Sequence, residues 1–296
     1  MDYEISLLTT MGIAILFALS LNLIAGFCGQ ISLGHAAFLG IGAYTTALLA
    51  KAGMPIFATL PIAMLVTGCV GVIVGLASLR VRADFLAITT MGVGFLFVGI
   101  VRQQEWLGGE MGIAAIPEAG VSKFAFMAIV LALCVAVAAL SFYIRRAWMG
   151  RVFGGIAEDE DTMRVLGIDV PRYKLVAFAI GTALAGLAGG LYAANLGFIS
   201  VDSFGFVDSV TVLSMVVVGG IGSVAGVTIA AAVLSALPAW FDFIGDYKLL
   251  VYGGLLFLMM RFAPGGMAAI ATRVFRAGGT ARNSASPAAV KGGQQA

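Results

Sequence analysis

Long apolar stretches alternate with short polar segments along this 296-residue chain. A helix needs about 20 predominantly apolar residues to cross a bilayer. Nine stretches approach this length, namely residues 5–27, 33–50, 56–78, 85–101, 123–144, 175–195, 209–219, 224–240 and 248–262. Their apolar residues are consecutive rather than alternating with polar ones, which favours helices over the strands of a membrane barrel. The pattern therefore predicts an all-α polytopic membrane protein with about nine (eight to ten) transmembrane helices.

The seventh and eighth predicted spans are short and lie on either side of the glycine-rich segment 219–223, so we expect interrupted helices there. The chain also contains a weak internal echo. Gly-Gln-Ile-Ser at 29–32, followed by Phe38, resembles Gly-Phe-Ile-Ser at 197–200, followed by Phe204. The two copies fall on opposite sides of the predicted membrane, as in the inverted repeats that build transport sites near the bilayer midplane. A chance match of three residues is the alternative explanation.

One polar segment, residues 145–174, stands out from the apolar pattern. It carries six of the 17 Lys and Arg residues and five of the 15 Asp and Glu residues. A charge in hydrocarbon costs at least about 2.5 kcal/mol, so this segment must lie in water between two spans. Ile156, Met163 and Leu166 recur at helical spacing, and Gly167 can end that helix in a left-handed conformation. The apolar stripe of this predicted short helix packs either on its own protein or on another subunit.

The Lys and Arg residues divide unequally between the two sides of the predicted membrane. With the 145–174 segment in the cytoplasm, 13 fall on its side and four on the other, namely Lys51, Arg102, Lys123 and Lys248. The positive-inside rule then places the N-terminus outside and the C-terminus in the cytoplasm. Residues 1–276 would form one transmembrane domain, and the small polar residues of 277–296 predict a disordered cytoplasmic tail.

Composition narrows the classes of function. The chain is 61% hydrophobic and 11% charged, whereas soluble domains carry roughly 25% charged residues. It contains no GxxxxGK[ST] loop, no GxSxG elbow with a partner histidine and no HExxH motif. One histidine and three separated cysteines form no metal-ligand pattern. We therefore expect no catalytic residues, cofactor or metal, and interpret the acids near span ends as solvated groups, namely Asp84, Glu105, Asp202 and Asp208.

Hydroxyl-bearing residues within or beside the spans are candidates to line a solute pathway. They are Ser32, Tyr44, Thr89, Thr90, Ser200 and Ser214. Neutral hydroxyls, together with backbone exposed at glycine breaks, suit a zwitterionic solute better than a strongly charged one. Hydroxyls also serve as hydrogen-bonding links between membrane helices, which is the alternative interpretation. His35, which lies among small residues, would either touch such a pathway or pack between helices.

Five segments are specific when they are taken jointly. They are LNLIAGFCGQISLGHAAFLGIGAY at 21–44, LRVRADFLAITT at 79–90, AEDEDTMRVLGIDVPRYKLVAF at 157–178, GFISVDSFGFVDSV at 197–210 and VVGGIGSVAG at 217–226. Together they resemble the LivM-type permease subunits of the branched-chain amino acid ABC importers, over residues 18 to 267. This resemblance implies a multi-pass subunit of a bacterial inner membrane. Such a subunit translocates branched-chain amino acids, or related small solutes such as urea or amides, without hydrolysing ATP itself.

The resemblance also implies partners. These are a second homologous permease subunit, two cytoplasmic ABC ATPase subunits and a periplasmic or extracellular solute-binding protein. The 145–174 segment would be the loop that couples to the ATPase, and the coupling residues would be Ile156, Glu158, Asp159, Glu160, Met163, Leu166 and Gly167. The alternative function is a stand-alone, ion-coupled secondary transporter. The internal echo and the 219–223 break suit it, whereas the scarcity of acids within the spans does not.

Overall fold

The computed structural model describes residues 2–78, 83–117, 119–240, 247–262 and 265–267, without the side chains of 78, 83–85, 240 and 248. Eleven α-helices lie within these ranges: α1 (Asp2–Leu21), α2 (His35–Lys51), α3 (Ile56–Ser78), α4 (Ala83–Gln103), α5 (Lys123–Arg146), α6 (Trp148–Glu158), α7 (Glu160–Val165), α8 (Val170–Leu196), α9 (Phe206–Gly219), α10 (Val224–Trp240) and α11 (Lys248–Phe262). A π-helical turn, Asn22–Phe27, continues α1, and 3-10 turns occupy Glu105–Leu107 and Val201–Phe204. The predicted tail at 277–296 and the side chains of Asp84 and Lys248 lie outside the described part.

The helix lengths confirm the predicted membrane architecture. Five described helices are long and apolar enough to cross a bilayer, namely Asp2–Phe27, Ile56–Ala77, Leu86–Gln103, Lys123–Arg146 and Val170–Leu196. The other four at predicted spans, α2, α9, α10 and α11, are shorter. α9 has 14 residues, so it rises about 21 Å and falls short of a hydrocarbon core about 30 Å thick. Short helices do flank the 219–223 break, as the sequence predicts.

The helices pack as two similar groups around the central contact between α1 and α8. α3 packs on α8 as α10 packs on α1, α2 packs on both α3 and α8, and α9 packs on both α10 and α1. α1 and α8 run antiparallel, because Thr10 near the start of α1 hydrogen-bonds Asn195 near the end of α8. The echoed segments 29–32 and 197–200 occupy equivalent places, since each follows one of these two central helices. This arrangement supports an inverted repeat.

Contacts between connections sort them into two ends of the protein. At one end, the Lys123 ammonium lies 3.7 Å from the Asp2 carboxylate. At the other end, the turn after α1 lies against the polar segment, because a Cβ built on Gly29 would be 3.1 Å from the Cα of Ala157. The start of α1 and the 145–174 segment therefore lie at opposite ends, which agrees with the predicted alternation of spans.

Close helix contact gives a test of the packing between α2 and α8. A Cβ on Gly42 would lie 2.2 Å from the carbonyl oxygen of Gly186, so Gly42→Val should force the two helices apart. We expect a loss of about 1–3 kcal/mol, as for other overpacked interiors. Gly99→Val is the matched control, because a Cβ on Gly99 meets nothing within 4 Å. Thermal unfolding in detergent measures both variants, and equal melting temperatures would contradict this packing.

Candidate functional site

The starts of α2 and α9, which hold equivalent places in the two groups of helices, meet inside the protein. The backbone N–H of Ala36 in the first turn of α2 donates to the Ser209 hydroxyl of α9 at 3.0 Å. Just before α2, the N–H of Leu33 donates to the Thr90 hydroxyl of α4 at 3.1 Å. A Cβ on Gly34 would lie 1.7 Å from the carbonyl oxygen of Thr90, so only glycine fits this approach. Short side chains thus join the two interrupted segments to each other and to α4.

A cavity of about 250 Å³ opens beside this junction. It is lined by Leu33, Met91, Gly94, Phe95, Val98, Arg102, Val201, Asp202, Gly205, Phe206 and Ser209. Along α4 it extends from Met91 to Arg102, a rise of about 16 Å. Most of the wall is apolar, and the few polar groups are set at its two ends, which is typical of sites for small organic molecules.

An ion pair lies at the solvent-exposed end of this cavity. The Arg102 guanidinium at the end of α4 lies 2.8 Å from the Asp202 carboxylate in the 3-10 turn before α9, and their side chains are 48% and 70% exposed. Exposed ion pairs contribute about 0–1 kcal/mol, so this contact is easily broken. The backbone around it is held more firmly, because Ile113 and Ile199 exchange two main-chain hydrogen bonds of 2.8 and 3.0 Å.

Three of the predicted pathway residues flank the cavity without lining it. Ser32, Thr90 and Ser200 immediately precede the lining residues Leu33, Met91 and Val201. Ser32 and Thr90 are fully buried. Ser200 directly precedes the 3-10 turn that carries Asp202, without a capping hydrogen bond from its side chain. Thr89, on α4, is half-buried.

The other three predicted pathway residues are packing residues in this structure. His35 is fully buried, with its Nε2 2.8 Å from the Ser20 hydroxyl and its ring stacked on Phe17. Tyr44 is buried edge-on to Phe97 and Phe204. The Ser214 hydroxyl donates to the carbonyl oxygens of Val210 and Tyr252. His35 thus packs between α1 and α2, and Ser214 links α9 to α11.

Sequence reasoning misses the roles of three polar residues of the cavity, Ser209, Arg102 and Asp202. The sequence indicates only a solvated group at a span end for Asp202 and an outer charge for Arg102. One signal points to Asp202, because it lies two residues after the second copy of the echo. Its pairing with Arg102, 100 residues away, requires the fold.

The 145–174 segment forms two helices, which corrects the prediction of one short helix. The chain leaves the helix at Asp159, whose carboxylate accepts from the N–H of Asp161 and starts α7. Hydrogen bonds from the Thr162 hydroxyl and from the backbone N–H groups of Asp161 and Thr162 lower the pKa of Asp159. Asp159 therefore remains a charged cap at neutral pH, which suits the positive start of a helix.

Burial divides the predicted coupling residues into two groups. Ile156 is buried, and Met163 packs back on Gly155, where a Cβ would lie 2.6 Å from its sulfur. These two residues therefore support the loop from within. Leu166 is 69% exposed, and its neighbour Val165, which the helical spacing does not select, is 88% exposed. Val165 and Leu166 thus expose apolar surface at the end of α7, and Trp148 at the start of α6 is also 62% exposed.

An ion pair of Glu160 joins α7 to the start of α8, and a second lies within α7. Glu160 pairs with Lys174 and, at 3.3 Å, with Arg164, while Glu158 is exposed. Gly167 follows with a φ of +82°, the left-handed conformation that the sequence predicts for it. The pair between Glu160 and Lys174 therefore fixes the position of Val165 and Leu166 relative to α8.

Comparison with known proteins gives the family. A family model described as "Branched-chain amino acid transport system / permease component" matches residues 4–260. The chain belongs to this permease family. The resemblance that the sequence motifs indicate is thereby confirmed, and this permease chain is similar to several curated proteins.

Three of these relatives are informative. LivM, a permease protein of a high-affinity branched-chain amino acid transport system in Salmonella typhimurium, is 36% identical across 89% of this chain and 69% of its own length. LivH, a permease protein of the same description in that organism, is 34% identical across 45% of this chain and 43% of its own length. LsrC of Escherichia coli, a permease protein of an autoinducer 2 import system, is 26% identical across 80% of this chain and 74% of its own length. No solved structure matches the chain.

The bond between α2 and α9 gives a test of the junction beside the cavity. Ser209→Ala removes the acceptor of the buried Ala36 N–H, and an unsatisfied buried donor costs about 1–3 kcal/mol. We expect a lower melting temperature and faster hydrogen exchange at Ala36. Thr211→Ala is the control, because the Thr211 hydroxyl donates to the Val207 carbonyl of its own helix, at 2.9 Å. Equal changes in melting temperature and hydrogen exchange for the two variants would contradict the role of Ser209 as the acceptor that joins α9 to α2.

Proposed function

We propose that the chain is a transmembrane permease subunit of an ABC importer, which moves branched-chain amino acids or related small solutes inward. The observation that carries this proposal is the cavity at the junction of two interrupted helices in a chain of the branched-chain amino acid permease family. ATP would be hydrolysed on partner subunits rather than on this chain. The N-terminus would lie outside and the C-terminus in the cytoplasm, in keeping with the Lys and Arg bias.

The chemistry of the cavity suits a small zwitterion with an apolar side chain. The starts of α2 and α9 lie beside it, and helix starts carry partial positive charge that favours a carboxylate. Leu33, Phe95 and Val98 supply apolar wall. A volume of about 250 Å³ is below the roughly 300–1,000 Å³ of pockets for drug-sized ligands, which fits a solute as small as leucine.

The end of α7 supports an ATPase partner. Val165 and Leu166 expose apolar surface on a segment whose many charges place it in water. Exposed apolar surface of this kind, rimmed by polar residues, marks interaction sites. We assign this surface to a groove on an ATPase subunit. Glu160 and Asp159 would act by holding α7 in place, through the Lys174 pair and the cap of the helix.

The relatives support a second permease as a further partner. LivM and LivH are two permease proteins with the same transport-system description in one organism, so we propose a second homologous permease beside this chain. An external solute-binding protein and two ATPase subunits would complete the importer. The second permease would cover the exposed side of α4, where Phe95 both lines the cavity and faces outward.

Gly167 tests the coupling surface. Gly167→Val should reduce the amount of ATPase that co-purifies with the chain, because a β-branched residue at φ of +82° is strained by about 1–3 kcal/mol. The membrane helices should remain inserted. Gly154→Val on the same loop is the control, since Gly154 lies within α6 and a Cβ added there would meet nothing within 4 Å. Normal ATPase recovery with Gly167→Val would contradict the proposed surface.

The energy source separates this proposal from an ion-coupled secondary transporter. Cells that express the chain with its partners should take up labelled leucine, and uptake should persist with an uncoupler as long as ATP is held constant. Uptake should stop when ATP is depleted. No Asp or Glu side chain is buried among the described residues, which favours the ATP-driven mechanism. Uptake that collapses with the uncoupler at constant ATP would establish the secondary transporter instead.

A further inference from the structure

The Arg102–Asp202 ion pair connects the two walls of the cavity at its outer end. Arg102 lies in the last turn of α4, and Asp202 lies in the 3-10 turn that leads into α9. Both residues line the cavity, and both side chains also reach solvent. Anything that enters the cavity from this end must pass the two side chains. The pair is thus placed to control entry.

The Arg102–Asp202 ion pair contributes little stability, whereas the backbone behind Asp202 is fixed by hydrogen bonds. Its charges are solvated, so separating them is easy. The 3-10 turn behind Asp202 starts close to Ile199, which is tied to Ile113 by two main-chain hydrogen bonds. The two side chains can therefore swing apart without any movement of the backbone that carries Asp202. This combination suits a contact that opens and closes repeatedly.

Each charge of the pair has a counterpart in a zwitterionic amino acid. A solute carboxylate can replace Asp202 on Arg102, because the planar guanidinium donates two parallel N–H···O hydrogen bonds to a carboxylate in a bidentate geometry. A solute ammonium can replace Arg102 on Asp202. The apolar residues Val98, Phe95 and Val201 lie on the cavity wall just inside, where a branched apolar side chain would be buried.

We propose that Arg102 and Asp202 form an outer gate that a zwitterionic solute opens by taking the place of each partner in turn. This inference rests on the proposed transport function and names the residues that recognise the main-chain charges of the solute. It also predicts discrimination within the solute class. Leucinamide lacks the carboxylate and 4-methylpentanoate lacks the ammonium, so neither can replace both partners.

The test compares neutral variants at this pair with neutral variants at a second outer ion pair. Arg102→Gln and Asp202→Asn should each lower uptake of labelled leucine, normalised to the chain present in the membrane, on the order of tenfold, since each loses one charged hydrogen bond to the solute. Asp2→Asn and Lys123→Gln are the controls. Asp2 and Lys123 also pair at the outer end, at 3.7 Å, but do not line this cavity. Their uptake should remain at the level of the unsubstituted chain.

Selectivity gives a second readout. Asp202→Asn should narrow the preference for leucine over 4-methylpentanoate, and Arg102→Gln should narrow the preference for leucine over leucinamide. The binding protein is the same in every strain, so a change between variants reports on this chain alone. If both variants keep the unsubstituted chain's preferences for leucine over these two analogues, the proposal that Arg102 and Asp202 recognise the solute charges is wrong.

Charge reversal distinguishes a gate from a structural link. The double variant Arg102→Asp with Asp202→Arg restores an ion pair but exchanges the positions of the two charges. The amount of this variant in the membrane should therefore equal that of the unsubstituted chain, whereas leucine uptake should stay low. Full recovery of uptake would show that the pair is only structural and would overturn the gate. If the unsubstituted chain itself gives no leucine uptake, the proposed function fails, and the gate fails with it. If it transports and the Arg102 and Asp202 variants match the controls, the gate alone fails.

Discussion

Backbone N–H and C=O groups that leave a helix inside a bilayer must be satisfied within the protein, because hydrocarbon offers no hydrogen-bond partner. This chain leaves the helix after α1, after α8 and between α9 and α10. The exposed groups are bound by short side chains from distant helices. Ser209 accepts from the N–H of Ala36, and the Asn22 amide oxygen accepts from the N–H of Gly222 at 2.9 Å. The first of these bonds lies beside the cavity, because Ser209 also lines it.

This constraint also explains which features of the fold can be predicted from the sequence. Apolar length predicts the helices, and glycine-rich segments predict where helices stop, because both signals are local. The side chains that satisfy the interruptions are not local, since Ser209 and Ala36 are 173 residues apart and Asn22 and Gly222 are 200 apart. The hydroxyls stand out in the sequence, but the pattern does not distinguish a pathway lining from a link between helices, and only the fold shows that the Ser214 hydroxyl reaches the carbonyl oxygen of Tyr252.

The 145–174 segment shows a different limit of sequence-based prediction. Helical spacing places Ile156, Met163 and Leu166 on one face, and the prediction of one continuous helix follows from that spacing. The carboxylate of Asp159 instead caps a new helix, and the resulting change of direction turns Ile156 inward and leaves Leu166 exposed. Asp favours both helix starts and solvated surfaces. Its cap is made by the N–H of Asp161 and the hydroxyl of Thr162, and apolar periodicity alone does not distinguish such a cap from a solvated acid inside a continuous helix.

The interruptions before α2 and before α9 are anchored to opposite ends of the protein. The one before α2 contacts the 145–174 segment, since Gly29 lies against Ala157. The one before α9 is tied to the connection between α4 and α5 through Ile199 and Ile113. The hydrogen bond between Ser209 and the start of α2 joins them beside the cavity. A displacement of the 145–174 segment would act on the turn before α2 and, through that bond, on the start of α9. Packed elements shift as units rather than deforming continuously, so these contacts connect the proposed ATPase surface with the cavity.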